Sequence, residues 1–229
     1  MIPKTIHYCW LSNEPIPPHL QRCMKTWRKK MPNYQMKRWS MNDFDINSVQ
    51  FVREACAVRQ WASAADYIRL YALYTEGGIY LDSDVEVLKS FDHFLQHDFF
   101  TSTEYHPKVN PDEVGIQAAI FGSVAGHPYL KACLDFLQNR PFIHADGSFD
   151  NQHIIAPGFM AQVAEKIGFE HKDKLQMLEN NMVIYPSEVF LGSRNYPITP
   201  KAYARHKCVG SWRQKVWYKQ LFRKIKNLF

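Results

Sequence analysis

The sequence predicts one α/β domain in which helices cover a mostly parallel β-sheet. Short strand-like runs alternate with amphipathic, helix-like segments along most of the chain, an order typical of parallel sheets with helical connections. The chain has 229 residues, of which 46% are hydrophobic and 14% aromatic, so it can bury a full core. No run reaches the roughly 18 apolar residues of a membrane span. We also expect no signal peptide.

The first half of the chain contains three predicted strands and three predicted helices. Pro17 and Pro18 open a helix whose apolar side chains recur at helical spacing until Pro32 ends it. In the third helix Ser63 is the expected N-cap, and Gly77 is the residue expected just past the C-terminus. The predicted strands are 4–10, 34–39 and 79–81, and the predicted helices are 17–31, 48–61 and 63–76.

The second half adds three predicted strands and two predicted helices. The strands are 85–88, 99–103 and 116–121, and the helices are 129–138 and 159–167. Residues 141–151 form the longest polar loop, and we expect it to be a lid over a binding site because functional residues concentrate in loops.

Two aspartates, Asp82 and Asp84, directly follow the predicted strand 79–81. Carboxylates so close together repel each other and lose hydration, so we expect a hard divalent cation shared with a diphosphate to hold them. Alternate strand residues face opposite ways, which leaves two alternatives. Either the chain turns at Ser83, or one aspartate binds the cation while the other acts through water or a ligand hydroxyl; the second is favoured.

Asp66 and Arg69 lie three residues apart, on one face of the predicted helix 63–76. Taken alone, this spacing favours an ordinary intrahelical ion pair worth about 0.2–0.5 kcal/mol. A role in ligand binding depends on the surrounding sequence.

Four blocks of sequence carry a resemblance to a known family. They are 2–10 (IPKTIHYCW), 63–69 (SAADYIR), 77–84 (GGIYLDSD) and the closing 203–206 (YARH) with 210–212 (GSW). Together they resemble the signature of the Asp-x-Asp sugar transferases of glycosyltransferase family 32. That family includes capsular polysaccharide and yeast-type mannosyl transferases, and the glucosylating bacterial toxins share its core. The match spans most of residues 1–212, in the family's order.

The resemblance implies a Rossmann-like GT-A domain over residues 1–212 and a set of site residues. The implied catalytic residues are Asp66, Arg69, Asp82 and Asp84, and the implied metal ligands are Asp82, Asp84 and His206. The implied donor-binding residues are Cys9, Trp10, Asp66, Arg69, Tyr80, Asp82, Gln117, Ser211 and Trp212.

The resemblance also implies a role for each of these residues. Asp84 would ligate the metal directly, Asp82 would contact the ribose or a metal-bound water, and His206 would be a further ligand. Asp66 would hold hydroxyls of the donor sugar, and Arg69 would reach the sugar and the diphosphate. The nucleotide would be bound by Cys9, Trp10 and Tyr80, the sugar by Gln117, and the diphosphate would be covered by Ser211 and Trp212.

The function implied is metal-dependent transfer of a sugar from a nucleotide-sugar donor to a glycan acceptor in polysaccharide biosynthesis. A lipid-linked glycan is one form of the expected acceptor. Retention of the anomeric configuration is implied as well. Mn²⁺ or Mg²⁺ is the expected ion, since oxygen-rich ligand sets suit hard cations. A UDP-sugar is the first expected donor and GDP-mannose the second. The alternatives are a sugar-phosphate nucleotidyltransferase and a non-catalytic basic module that binds membranes or nucleic acid.

Residues 213–229 form a separate basic segment. They contain six Lys and Arg and no acid, so the first 212 residues sum to zero and the tail carries the net charge of +6. Four apolar residues at helical spacing predict an amphipathic helix that binds an anionic membrane surface, with docking on the core as the alternative. Nucleic acid is not expected as a partner. The four apolar residues are Trp217, Leu221, Ile225 and Leu228.

Five scattered cysteines form no CxxC pair, so we expect reduced thiols rather than a disulfide framework or a zinc site. This pattern favours a cytoplasmic protein, and the basic tail would place it on the cytoplasmic face of the membrane.

Overall fold

The computed structural model describes residues 1–108, 110–138, 140–193 and 195–209. Ser211, Trp212 and the predicted tail 213–229 lie outside the described residues. No helix within the described ranges has the length and hydropathy needed to cross a bilayer. The described elements are β1 (Thr5–Cys9), α1 (Pro18–Lys30), β2 (Gln35–Trp39), α2 (Gln50–Ala57), α3 (Trp61–Glu76), β3 (Gly78–Leu81), β4 (Val85–Val87), β5 (Phe99–His106), β6 (Asn110–Ile116), β7 (Ile120–Ser123), α4 (Pro128–Gln138), α5 (Ala156–Glu165), β8 (Gln176–Leu178), β9 (Met182–Tyr185), β10 (Phe190–Leu191) and β11 (Ala204–His206).

The main sheet has eight strands in the order β2-β1-β3-β7-β5-β9-β8, with β6 paired to β5. The pairings make β1, β2, β3, β5 and β9 run in one direction, whereas β6, β7 and β8 run against them. Most strands are therefore parallel, as predicted. The carboxyl ends of β3 and β5 lie at the same edge of the sheet, because β7 between them is antiparallel to both.

A second, three-stranded sheet has the order β10-β11-β4. Its strand β4 begins directly after Asp84, and β11 pairs with it antiparallel so that His206 lies opposite Val85. This pairing brings a histidine from the far end of the described chain next to the paired aspartates.

Two hydrophobic clusters cover the two faces of the main sheet, and β3 contributes to both. Tyr80 packs with the helices α2 to α5, whereas Ile79 and Leu81 pack with α1 and β4. Alternate strand side chains face opposite sides of a sheet, so this short strand, buried throughout, is held between the two layers. The Trp27 indole fixes α1 to β4, since its Nε1 donates to the Val85 carbonyl at 2.7 Å.

The junction between α3 and β3 depends on two glycines. Gly77 ends the helix with φ +67° and Gly78 starts the strand with φ +110°, values that L side chains rarely adopt. A Cβ on Gly78 would lie 2.7 Å from the Thr5 carbonyl oxygen. The helix stop predicted at Gly77 is confirmed, but the predicted N-cap is wrong, since α3 already begins at Trp61, before Ser63.

The structure differs from the prediction most clearly after β5. The predicted strand 116–121 is interrupted, because β6 ends at Ile116 and β7 starts only at Ile120. Most of β6 and all of the short strands β8 to β11 were missed by the sequence analysis. Strands of two to four residues are too short to show an alternating pattern.

Candidate active site

The paired aspartates lie in a turn and not on a straight strand. β3 ends at Leu81, and the Val85 amide donates to the Asp82 carbonyl at 2.9 Å, which closes a turn over Ser83 and Asp84. The geometry therefore follows the first alternative, a turn at Ser83. Because of this turn the two carboxylates do not face opposite sides of the sheet, and both approach the same point.

A histidine from β11 completes a cluster of three potential metal ligands. One ligand atom each of Asp82, Asp84 and His206 lies within 4.8 Å of the others. His206 Nε2 is 3.2 Å from Asp84 Oδ1 and 4.0 Å from Asp82 Oδ2, and the backbone amide of Val209 donates to Asp84 Oδ2 at 2.8 Å. Two carboxylates and an imidazole in a partly buried site suit Mn²⁺ or Mg²⁺.

The charges of this cluster are strongly coupled. Burial raises the pKa of the Asp84 carboxyl, but hydrogen bonds from His206 and Val209 outweigh burial and lower the pKa below its ordinary value. Burial lowers the pKa of His206, whereas its hydrogen bond to Asp84 raises it well above the ordinary value. To bind a cation His206 would have to be deprotonated, since histidine ligates a metal as the neutral imidazole.

Arg69 connects the helix α3 to the aspartate turn. Its Nη2 lies 3.0 Å from Asp66 Oδ1 and 3.4 Å from Asp82 Oδ1, and its Nη1 donates to the Ala118 carbonyl at 2.8 Å. The guanidinium lies 4.8 Å from the Tyr80 ring centroid, while the Tyr80 hydroxyl donates to Asp82 Oδ1 at 2.8 Å. The Asp66–Arg69 pair is therefore more than the simple intrahelical ion pair that its spacing favours.

Burial and neighbouring charges shift the pKa values of Asp66 and Arg69. Burial raises the pKa of Asp66 to about 6, although the Arg69 charge lowers it. Burial lowers the pKa of Arg69, but the charge of Asp82 and its neighbours raises it, so the guanidinium stays charged. A fixed cation between two carboxylates can orient hydroxyl and phosphate oxygens, because it donates in a rigid planar geometry.

Cys9 is the last residue of β1 and Trp10 follows it, at the same edge of the sheet as the aspartate turn. Burial raises the pKa of the Cys9 thiol to about 12, although the Arg69 charge lowers it, so Cys9 is a neutral neighbour of the Arg69–Tyr80 pair. The Trp10 Nε1 donates to the Glu14 carbonyl at 2.7 Å, and Arg38 donates to the Trp10 carbonyl at 3.2 Å. These contacts hold Trp10 at the carboxyl end of β1, where it is partly exposed.

Gln117 lies in the interruption between β6 and β7, not in a strand as predicted. The segment 117–119 connects β5 to the residue that follows β3. The backbone amide of Gln117 donates to the Ser102 carbonyl, and the backbone amide of Asp82 donates to the Ala119 carbonyl, both at 2.9 Å. The Gln117 side chain is 1% exposed, and its Oε1 accepts from the Ala119 amide. Its Nε2 has no hydrogen-bond partner among the described residues.

The loop predicted as a lid is tied to the rest of the domain. Asp150 is 1% exposed and accepts from Arg140 Nη2 at 2.6 Å and lies 3.1 Å from His144 Nε2. Asn151 donates to the Ser63 hydroxyl at 3.1 Å, near the start of α3. The loop thus contacts the helix that carries Asp66, while its role as a lid stays a prediction.

The structure connects most of the predicted site residues that it describes. Asp66, Arg69, Tyr80, Asp82, Asp84 and His206 form one network of contacts, with Cys9 beside it. Ser211 and Trp212 lie outside the described residues. The sequence analysis missed the Val209 amide and the Ala118 carbonyl, since backbone groups leave no signal in residue types.

The fold is the one found in GT-A glycosyltransferases. The structure resembles that of "PaToxG Glycosyltransferase" with a TM-score of 0.56, at 18% identity, over 72% of this chain and 69% of that chain. A likeness at this identity concerns the fold alone. The predicted α/β GT-A fold is confirmed.

The sequence comparisons find similarity to one family over part of the chain. Residues 17–101 match the family described as "Glycosyltransferase sugar-binding region containing DXD motif". "Inositol phosphoceramide mannosyltransferase 3" of Schizosaccharomyces pombe is 31% identical over 144 residues, which are 61% of this chain and 37% of the relative. "Inositol phosphoceramide mannosyltransferase 2" of the same yeast is 28% identical over 144 residues, 61% of this chain and 39% of the relative. The predicted resemblance to this family is confirmed. The chain spans well under half the length of these relatives.

Proposed function

We propose that the protein transfers a hexosyl group from a nucleotide-sugar donor to a hydroxyl of a saccharide acceptor, with a divalent cation at Asp82, Asp84 and His206. The convergence of two carboxylates and an imidazole within 4.8 Å carries this proposal. The aspartates lie inside the segment that matches the sugar-binding DXD family, and His206 lies outside it. The site therefore joins a motif typical of donor binding to a ligand set suited to a hard cation.

The residues around the aspartate turn would bind and orient the donor. When bound, Mn²⁺ or Mg²⁺ would neutralise the charge that develops on the departing diphosphate. Asp66 would accept hydrogen bonds from hydroxyls of the transferred sugar, and Arg69 would hold the sugar and the diphosphate together. Orientation and electrostatic stabilisation in a largely buried site supply most of the expected rate enhancement.

We propose that the configuration at the anomeric carbon is retained, as the resemblance implies. The bond from the anomeric carbon to the phosphate oxygen breaks, and a bond to the acceptor oxygen forms on the same face. The acceptor proton passes to an oxygen of the departing phosphate, so no enzyme nucleophile is required. The anomeric configuration of the product, read from its proton NMR couplings, distinguishes retention from inversion.

The donor and the acceptor are proposed from the relatives. Two relatives are named mannosyltransferases, which supports mannose as the transferred sugar and GDP-mannose as the first donor to test, ahead of a UDP-sugar. Inositol phosphoceramide in those names is a lipid, which supports a lipid-linked acceptor. The proposed division into a domain over 1–212 and a membrane-binding tail over 213–229, on the cytoplasmic face, would suit such an acceptor.

The Asp84→Asn variant tests the proposed function. The amide that replaces the carboxylate has no negative charge, so Mn²⁺-dependent release of nucleoside diphosphate from GDP-mannose or a UDP-sugar should fall by about 100-fold or more, a loss of about 3 kcal/mol of transition-state stabilisation. Asp112→Asn, which changes an exposed carboxylate on β6, is the matched control and should keep wild-type turnover. Full Mn²⁺-dependent turnover in Asp84→Asn would refute the assigned cation site.

The two alternative functions receive no support from the site. A nucleotidyltransferase would require a glycine-rich phosphate loop near the N-terminus, and the segment after β1 (LSNEPIPP) contains no glycine. A non-catalytic module would not need Arg69 buried between two carboxylates, an arrangement whose desolvation cost indicates a function.

A further inference from the structure

Glu104 carries a buried carboxylate oxygen that nothing in the donor site explains. Its Oε1 lies 2.6 Å from His106 Nε2, but its Oε2 is buried and has no hydrogen-bond partner among the described residues. The other imidazole nitrogen, His106 Nδ1, lies 2.8 Å from the Tyr196 hydroxyl. A buried carboxylate oxygen without a donor is costly, and buried polar groups without partners are rare in folded proteins.

The position of Glu104 places this oxygen at the edge of the sheet where the cation site lies. Glu104 follows Ser102 by two residues on β5, and the Ser102 carbonyl accepts from the Gln117 amide. At its other end the segment 117–119 contacts Asp82, through the Ala119 carbonyl. The segment 117–119 thus connects β5, the strand that carries Glu104, to Asp82, and its Gln117 Nε2 also has no hydrogen-bond partner among the described residues.

A chain of contacts also joins Glu104 to His206. The Glu104 carboxylate packs against Gly192, where an added Cβ would lie 2.8 Å from Oε1 and 3.0 Å from Oε2. The Gly192 carbonyl accepts from the Cys208 thiol at 2.9 Å, and Cys208 Sγ lies 3.4 Å from His206 Nδ1. Gly192 and Cys208 thus lie between the Glu104 carboxylate and His206, the proposed cation ligand.

The charge and the hydrogen-bonding capacity of this group indicate the class of its ligand. The hydrogen bond to Glu104 raises the pKa of His106, which favours a positively charged imidazole beside the carboxylate. A neutral ligand fits such a pair better than a cation or a second anion. A carboxylate oxygen only accepts hydrogen bonds, so it fits a ligand that donates them, such as a hydroxyl group.

We propose that Glu104, oriented by His106 and Tyr196, binds hydroxyls of the acceptor saccharide on the β5 side of the cation site. The proposed donor-binding groups Asp66 and Arg69 belong to a different element, the helix α3. A second sugar on the β5 side would bring its reacting hydroxyl toward the point between Asp82 and Gln117. This inference rests on the proposed function and names the acceptor side of the same site.

Binding of simple glycosides to the full chain tests the inference. Saturation-transfer NMR would be recorded with methyl α-mannopyranoside and methyl β-galactopyranoside, in the presence of Mg²⁺ and GDP or UDP. The wild-type protein should bind at least one glycoside. Glu104→Gln removes the charge that strengthens the hydrogen bond, and glycoside binding should weaken by about tenfold or more.

Two further variants separate the role of Glu104 from a general loss of structure. Gly192→Ala leaves the charge in place but displaces the flexible end of Glu104, so it should also weaken glycoside binding while the protein stays folded. Glu113→Gln, which changes an exposed carboxylate on the neighbouring β6, is the matched control and should bind like wild type.

The outcomes distinguish this inference from the proposed function. In one outcome, Mg²⁺ and nucleotide stabilise the wild type against heat, but Glu104→Gln and Gly192→Ala bind glycosides as the wild type does. This outcome would overturn the acceptor role alone. A wild type that binds nucleotide but neither glycoside would overturn it too. Absence of any nucleotide and metal response in the wild type would instead overturn the donor site.

Discussion

At the scale of single residues, the site depends on a few charged groups held at fixed distances. Arg69 lies between Asp66 and Asp82, at 3.0 and 3.4 Å, and is 5% exposed. A buried charge of this kind is stable only while its partners remain. Removing one carboxylate therefore affects the orientation of the guanidinium as well as the lost contact.

The Asp66→Ala variant should damage sugar transfer more than nucleotide binding. Asp66 would contact the sugar, whereas Arg69 would keep its contacts with Asp82 and the Ala118 carbonyl and still reach the diphosphate. We expect turnover to fall by about 100-fold, corresponding to about 3 kcal/mol, while the affinity for GDP or UDP with Mn²⁺ changes by less than about threefold, roughly 0.6 kcal/mol. Isothermal titration and initial rates measure the two effects. Equal losses in both would contradict the assigned sugar contact.

His7 should make the stability of the protein depend on pH. The ring is fully buried, its Nε2 donates to the Gly77 carbonyl at 2.9 Å, and its Nδ1 accepts from Trp39 Nε1 at 2.9 Å. Burial lowers the pKa of His7 from 6.5 to about 4. Between these two values the unfolded chain binds a proton that the folded protein does not, so stability falls as the pH drops from about 6.5 to about 4.

The expected loss from His7 is up to about 3 kcal/mol below pH 4. Urea unfolding between pH 7.5 and 4 measures it. His7→Gln should be less stable at neutral pH and should show a flatter decline on the acid side. His19→Gln, which changes an exposed histidine of α1, is the control and should keep the wild-type decline. An unchanged acid decline in His7→Gln would exclude His7 as its source.

At the scale of elements, glycine positions decide whether the strands next to the site can pack. A Cβ on Gly122 of β7 would lie 2.2 Å from the Phe100 ring on β5, and a Cβ on Gly78 would meet the Thr5 carbonyl. Both sites are in the centre of the sheet, where neighbouring atoms have little room to move. The strand β3, which leads into the aspartate turn, is held by these close contacts.

Gly122→Ala and Gly78→Ala should each destabilise the protein by about 1–3 kcal/mol, because overpacking and strained backbone have costs of this size. Thermal or urea unfolding measures the change. Gly158→Ala is the matched control: it lies in α5, its Cβ would have ordinary contact at 3.4 Å, and it should be neutral or up to about 1 kcal/mol more stable. Wild-type stability in both sheet variants would contradict the packing described for β3 and β7.

The elements also show how far the sequence leads. Helices α1 to α5 and strands β1 to β5 and β7 were predicted because each carries a periodic pattern or a glycine or proline signal. His206 entered the predicted site only through the family resemblance, since its own surroundings are those of an ordinary basic segment. Glu104 and His106 were missed because the predicted strand 99–103 ended before them, although residues two apart on a strand face the same side.

At the scale of the whole molecule, ligand binding should stabilise the fold. A ligand that binds only the native state at about 100 times its dissociation constant adds about 2.7 kcal/mol. For a chain of this length that corresponds to a rise in Tm of roughly 5–10 °C. Thermal shifts with Mn²⁺ and GDP or UDP measure it, and EDTA should abolish the effect. The same shift in Asp84→Asn would place the cation elsewhere.

The pairing of β4 with β11 brings Asp82, Asp84 and His206 together from distant parts of the chain. Asp84 and His206 are separated by more than one hundred residues in sequence, and their contact requires that both partner strands have formed. During synthesis on the ribosome the two aspartates emerge long before the histidine does. A nascent polypeptide released early would therefore present the motif without its third ligand, and catalysis would begin only after translation has passed residue 206.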